Sequence, residues 1–331
     1  MSIEQPTRRR AIAVLAATAA GFAAAQGDSA QAAIDYEWRG LSMGADARIL
    51  FCGIDRNTAR ALIAMALAEI ERLEMALSLF RSDSEICRLN HDQTLASPSA
   101  DLRRALALAL AIAQATGGLF DPTVQALWET YVDWFAAAPD RGLPPRSAVA
   151  AAMAAVDWRR IALEPNSIRL GPRQRVTLNG LGQGYVTDRV ADLLRAHGLE
   201  HVLVDLGEQR ALGPRPNGAP WLIACDQAQP LKLRQGALAT SAGAGCILGA
   251  AGAVHHLFDP RTGCSASHWR QITVHHRSAA VADALSTALY AASADEMARL
   301  LARFPGVAVL AADHNGQQRR WNSDATAAAS I

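Results

Sequence analysis

Asp283 and Thr287 stand four residues apart in Asp283-Ala284-Leu285-Ser286-Thr287, a segment that reads as the first turns of a helix. At that spacing a carboxylate and a hydroxyl project from one helical face. Two hard oxygen donors so placed suit Mg²⁺, which prefers carboxylates, neutral oxygens and retained waters, often beside a substrate phosphate. An Asp in a first turn also complements the helix macrodipole, so the pair alone leaves both readings open. Twenty residues upstream, His255-His256-Leu257-Phe258-Asp259-Pro260-Arg261-Thr262-Gly263 reads as a short apolar strand entering an Asp-Pro-Arg-Thr-Gly turn. Imidazole stands at its start.

These residues need elements to hold them. Tyr36 to Phe51 alternates loosely and breaks at Met43-Gly44, which predicts strand, turn and strand. Asn57 is the expected cap of a helix through about Leu77, with Leu62, Ile63, Ala66, Ile70, Leu73 and Leu77 on one face. A second helix is expected from Asp101 to Thr116, stopping at Gly117-Gly118, and a short one from Ser147 to Val156. Ile161–Leu163, Ile168–Leu170 and Arg175–Leu178 suggest a small antiparallel meander. Asn179 to Tyr185 is a glycine-rich turn feeding a helix that ends at Gly198. Strands are expected at Val202–Leu206, Trp221–Cys225, Gly236–Thr240, His255–Phe258, Ile272–His275 and Val307–Leu310. Ser293 and Glu296 form a capping box for the helix before the last of these. Strands and helices mix without a regular βαβ beat, so the expected class is α+β, a single large unit of two lobes built from mixed sheets packed with helices.

Composition closes several routes. The formal charge of +1 and 5% aromatic residues give no nucleic-acid footprint. Lys232 is the sole lysine and no Gly-Lys-Ser/Thr occurs, which excludes a P-loop. Five scattered cysteines without C-x-x-C spacing argue against a zinc site or a disulfide framework. At the start, Thr7-Arg8-Arg9-Arg10 precedes an apolar run from Ala11 to Ala25 and a small-residue site ending at Ala32. Residues 1–32 therefore read as a twin-arginine-type signal peptide, too short in its apolar part for the roughly twenty residues that span a bilayer. The expected mature unit is 33–322, periplasmic, without a membrane anchor after cleavage, and followed by a frayed tail over 323–331.

Five segments stand in order: Ser42-Met43-Gly44, Leu79 to Asn90, Thr116-Gly117-Gly118-Leu119-Phe120-Asp121-Pro122-Thr123-Val124, Asn179 to Tyr185, and the histidine turn with the Asp283 helix. As an ordered set over about residues 38–311 they resemble the FAD:protein FMN transferases, the ApbE family. The resemblance implies a Mg²⁺-dependent enzyme that takes FAD as substrate, transfers FMN to a Thr or Ser hydroxyl of a partner protein and releases AMP. It implies metal ligation by Asp283, Thr287 and the backbone of Gly182, and a general base at His256, an imidazole with unperturbed pKa near 6.5. It also implies dinucleotide contacts at Met43, Gly44, Asp121, Gly184, Asp188, Ser241 and Thr262. The partner expected is an acceptor flavoprotein of a membrane electron-transfer complex. FAD hydrolysis to FMN and AMP, or flavin binding without turnover, are the alternative readings. The chain departs from the family pattern at Gln183, usually Lys or Glu, at Glu208, usually Gly, and at Ala242 to Cys246.

Overall fold

A computed structural model of the chain describes residues 34–224, 230–249 and 254–323. The expected signal segment, Cys225 and residues 324–331 of the expected tail lie outside them. Strands β1 (Tyr36–Ser42) and β2 (Ala45–Phe51) form a hairpin whose two turn residues, Met43 and Gly44, have φ of 51° and 82°. Left-handed conformation at both central residues matches the right-handed twist of the flanking strands. Gly44 adopts it freely, whereas Met43 must be held, and its N–H donates to Glu74 Oε1 (2.7 Å).

Glu74 lies on helix α1 (Arg56–Leu77), capped by Asp55, whose side chain accepts from the N–H groups of Asn57 and Thr58. The cap is thus two residues before the expected Asn57. Helix α2 (Glu85–Asp92) and strand β3 (Thr94–Ala96) lead to α3 (Ala100–Ala115), α4 (Gln125–Ala137) and α5 (Arg146–Met153). Strands β4 (Ala162–Glu164) and β5 (Ser167–Arg169) pair with β3 in the order β3-β5-β4. The expected third strand of this meander, Arg175–Leu178, is not one. Its place is fixed by a side chain instead: Asn90 accepts from Val176 N–H (2.7 Å) and donates to Val176 C=O (2.8 Å).

Helix α6 (Gly182–Ala196) opens inside the glycine-rich segment. The remaining strands are β6 (Val202–Asp205), β7 (Gln209–Ala211), β8 (Trp221–Ile223), β9 (Leu231–Leu233), β10 (Gly236–Ala242), β11 (Ile247–Leu248), β12 (Val254–His255) and β13 (Gln271–His276). The expected His255–Phe258 strand is shorter, with Phe258 making only an isolated bridge to Ser265. Helices α7 (Ala279–Tyr290) and α8 (Ala294–Leu301) precede β14 (Ala308–Ala312) and β15 (Gln318–Asn322), and the Ser293–Glu296 capping box is present on α8. Ser323, the first residue of the expected tail, still bonds to Val307 in both directions.

Eight strands form one sheet in the order β1-β2-β6-β7-β10-β13-β14-β15, every pair antiparallel. Period-two alternation sends Ile49, Phe51, Val202, Val204, Ile272 and Val274 to the face covered by helices. Leu50, Cys52, Leu203, Leu238 and Leu310 face the other way, under Trp221 and Leu233 of the β8–β9 hairpin. A smaller core joins α4 and α5 to Val254 and Phe258. The expected α+β class holds.

Helix α7 is buried on nearly all sides, ten of its twelve residues being enclosed. It crosses α6 so closely that a Cβ on Gly184 would fall 2.4 Å from the backbone oxygen of Ala279. Glycine is required there for approach, not for conformation. Gly184→Ala is expected to destabilise the fold by about 1–3 kcal/mol, since neither helix backbone can yield without moving the sheet beneath it. A urea midpoint equal to that of the unmodified chain would contradict this packing.

Candidate active site

Helices α6 and α7 exchange carboxylates. Helix α6 has no side-chain cap of its own, and Asp283 of α7 accepts from Gly184 N–H in its first turn (3.1 Å). In return Asp188 of α6 accepts from Ala279 N–H (2.9 Å), Ala280 N–H (3.1 Å) and Ser278 Oγ (2.6 Å) at the start of α7. Arg210 adds an ion pair to Asp188 at 2.6 Å. Both oxygens of Asp188 are therefore engaged within the protein. The residue positions the helix that carries Asp283, and a cleft of about 690 Å³ behind it, lined by Asp188, Arg210, Arg277 and Ser278, includes neither Asp283, Thr287 nor His256.

Asp283 itself is not so satisfied. It is 4% exposed, and Gly184 N–H is the one donor to its carboxylate among the described residues. Burial foremost, with the nearby Asp188 charge, pushes its carboxyl up to about 7. It sits five residues into α7, whose N-terminus Ser278 caps, so compensation of its own helix's dipole does not explain it. One turn on, the Thr287 hydroxyl makes no hydrogen bond among the described residues. It lies against the glycine segment: a Cβ on Gly180 would stand 3.1 Å from Thr287 Oγ1 and 3.2 Å from the Phe120 ring. Gly180, then, is the glycine facing Thr287. Gly182 is the first residue of α6, where its carbonyl enters the helical ladder, and it faces Met43 Cε at 3.3 Å. Gly44 abuts the Phe80 ring.

The structure thus gathers Met43, Gly180 to Gly184, Phe120, Asp283 and Thr287, which are up to 244 residues apart in the chain. Ser241 joins them through a 2.7 Å bond to Ser286 on α7. Asp121 faces inward: its oxygens accept from Thr123 N–H and Oγ1 and from Trp158 N–H, bracing the loop that presents Phe120. Thr262 is exposed on the turn that Arg261 clamps by gripping Asp259 with two nitrogens and reaching Ala291 C=O and Glu296.

The adjacent histidines separate clearly. His255 Nδ1 accepts from Leu257 N–H (3.2 Å), so the proton is on Nε2, which donates to Ala266 C=O (2.9 Å). Its ring packs edge-on to Tyr290 of α7. His255 is complete as a structural group. His256 Nδ1 lies 3.3 Å from Cys246 C=O and must be its protonated nitrogen, since a carbonyl only accepts. That tautomer leaves Nε2 with a free lone pair. Burial, the leading cause, lowers the His256 pKa to about 4, so the ring is a neutral base at neutral pH.

One residue of the neighbourhood was visible in the sequence only as a departure. Glu208, in the β6–β7 connection, is 7% exposed and accepts from Thr240 N–H (3.2 Å). Burial first, then the charges of Asp283 and Asp205, raise its carboxyl well above the usual range. An acid following the apolar run Val202–Val204 was the available signal.

A buried carboxylate and a half-buried hydroxyl, both with unfilled oxygen valence and no cationic partner among the described residues, fit a hard divalent cation. Among the described residues no three His, Cys, Asp or Glu side chains form a metal cage, so hydroxyl, carbonyl and water oxygens would complete the set around Asp283. Comparison with known proteins identifies the family of the chain. The ApbE family model matches residues 43–311. The FAD:protein FMN transferase of Treponema pallidum is 29% identical over 278 residues, 73% of this chain and 74% of that one. That of Klebsiella pneumoniae is 28% identical over 293 residues, 82% of each. The ApbE protein of Thermotoga maritima has the same fold, with a TM-score of 0.77 over 86% of this chain and 96% of its own, at 24% identity. With the matched span running from the Met43 turn through the Asp283 helix to β14, the chain belongs to the ApbE family.

Proposed function

We propose that this protein is an FAD:protein FMN transferase that uses Mg²⁺ and modifies a Thr or Ser hydroxyl on a periplasm-facing redox protein. The observation that carries the reading is the pair of buried Asp283 and half-buried Thr287, both with unused oxygen valence, set against the Gly180 turn of an ApbE-family chain. Asp283 and Thr287 would hold the cation, with a backbone oxygen of the Asn179–Gly182 turn beside them. When bound, Mg²⁺ neutralises charge that develops on the phosphates. Periplasmic action rests on Arg8-Arg9-Arg10 and the apolar run after them. Among the described residues no helix is long and apolar enough to cross a membrane.

The reaction forms a bond from the acceptor oxygen to the FMN phosphorus and breaks the pyrophosphate P–O bond, so AMP leaves. The hydroxyl must lose its proton as it attacks. His256 Nε2 takes that proton, its orientation fixed by the Nδ1–H bond to Cys246 C=O. Asp188 keeps α7 in place while this happens, and the Met43–Gly44 turn, held by Glu74, closes the side of the site next to Gly182.

Two outcomes follow. Incubated with FAD, Mg²⁺ and a Thr-containing acceptor peptide, the chain should add one FMN mass to the peptide, and Asp283→Asn should abolish the addition while circular dichroism stays unchanged. Undiminished transfer by that variant would remove the metal assignment, and free FMN with unmodified peptide would favour hydrolysis. His256→Ala should lower kcat by about 10²–10⁴-fold. Because the neutral ring is the active form and burial holds its pKa near 4, kcat/KM at saturating Mg²⁺ should stay level as pH falls from about 7 to about 5 and drop as it passes about 4. A loss already complete by about pH 6 would assign the proton to another group.

A further inference from the structure

We propose that Tyr290 is a positioning residue for His256, acting from α7 through the turn that carries the Cys246 carbonyl. The inference rests on the reading of His256 as the base and adds the group that keeps its usable tautomer.

Ser286 and Tyr290 lie one helical turn apart, on the face of α7 that also carries Asp283. Both take hold of the chain where β10 ends. Ser286 Oγ meets Ser241 Oγ at 2.7 Å, and the Tyr290 hydroxyl accepts from Gly243 N–H (3.1 Å). The same hydroxyl donates to Arg270 C=O (3.5 Å), just before β13. Tyr290 and Gly243 are both buried, so this oxygen satisfies an N–H that would otherwise be orphaned. Gly243 opens a 3₁₀ turn through Gly245, closed by Cys246 N–H donating to Gly243 C=O (3.4 Å). The Cys246 carbonyl then accepts from His256 N–H (3.1 Å) and faces His256 Nδ1 (3.3 Å). One carbonyl thus fixes both the backbone and the ring of His256, and a phenol three residues upstream fixes the turn that bears it.

The turn is seated against two rings. A Cβ on Gly243 would fall 2.7 Å from His255 Cδ2 and 2.8 Å from the Tyr290 oxygen. Those rings pack edge-on with centroids 5.6 Å apart, so the turn has no room to shift towards α7. Its one tie to α7 is the hydroxyl bond. Which nitrogen of a histidine carries the proton is set by the hydrogen bond its ring makes. Held where it is, the Cys246 carbonyl keeps the proton on Nδ1 and the lone pair on Nε2. Cut the bond from Tyr290 and the turn can move outward, taking the carbonyl with it. The Nε2–H form, which cannot accept a proton at that atom, then gains population. Ala242 to Cys246 is also where the chain departs from the family pattern, and Tyr290 is the support that this altered segment uses.

The test is Tyr290→Phe, which removes one oxygen and keeps the ring against His255. Nitrogen-15 resonances of the imidazoles in the full chain report the tautomer at neutral pH and need no FAD. The His256 signals, assigned by their loss in His256→Gln, should show a protonated Nδ1 and a bare Nε2 in the unmodified chain. In Tyr290→Phe both should move towards the averaged positions of mixed tautomers. The kcat for FMN transfer should fall by about tenfold while KM for FAD stays level. Should Tyr290→Phe fail to fold, 3-fluorotyrosine installed at position 290 keeps the hydroxyl as a weaker acceptor and should move the same signals in the same direction. Unmoved His256 signals would overturn the positioning role, whether or not kcat fell. An Nε2–H ring already present in the unmodified chain would overturn it as well. Mixed tautomers with unchanged kcat would uphold the positioning of His256 and remove its assignment as the base.

Discussion

Two helices that cap each other set the geometry on which the site depends. A helix N-terminus leaves N–H groups without partners and concentrates positive potential. Here α6 meets that need with Asp283 and α7 with Asp188, each acid supplied by the other helix. The crossing is tight because Gly184 has no side chain to keep the backbones apart. The two acids then diverge in chemistry. Asp188 is saturated by four donors and is structural. Asp283 receives one, and the protein leaves it with capacity to spare.

The remaining groups are each held by a single contact from a neighbouring segment. Met43 enters through a left-handed turn tied to Glu74, Thr287 meets Gly180, and His256 is oriented by the Cys246 carbonyl. Such supports leave few rotamers to freeze when a substrate arrives. A charged network of Glu69, Arg72, Asp101 and Arg189, joined by the Tyr185 hydroxyl, ties α1 and α3 to α6 on the outer side. It anchors the helix whose first turn carries the site.

Much of this was legible in the sequence where the signal is local. The i, i+4 pair Asp283 and Thr287, the Ser293–Glu296 capping box, the Met43-Gly44 turn and the long amphipathic helix ending at Leu77 depend on neighbours within a turn or two. Long-range pairing was not legible. The extended stretch at Arg175–Leu178 has strand composition, yet its backbone is satisfied by Asn90, 86 residues away from Val176. Asp188 looks like a ligand-facing acid until its donors at Ser278, Ala279 and Ala280 are known. The His255-His256 doublet is symmetric in sequence, and only the Leu257, Ala266 and Cys246 bonds tell the two rings apart. Glu208 stood out only as an unexpected residue, because the depth of its burial depends on α6 packing over a connection 25 residues downstream of Gln183.

The strand order carries a consequence for how the molecule comes into being. The amino-terminal hairpin β1–β2 gains its sheet neighbour only when β6, beginning at Val202, is available, and the sheet is finished only by β15. Non-local pairings of this kind slow folding, since loop closure precedes the contacts that reward it. The site follows the same schedule, because Met43, Gly184 and Asp283 belong to its beginning, middle and end. A partly synthesised chain consequently holds no assembled centre. The chemistry appears at one stroke, after α7 has docked.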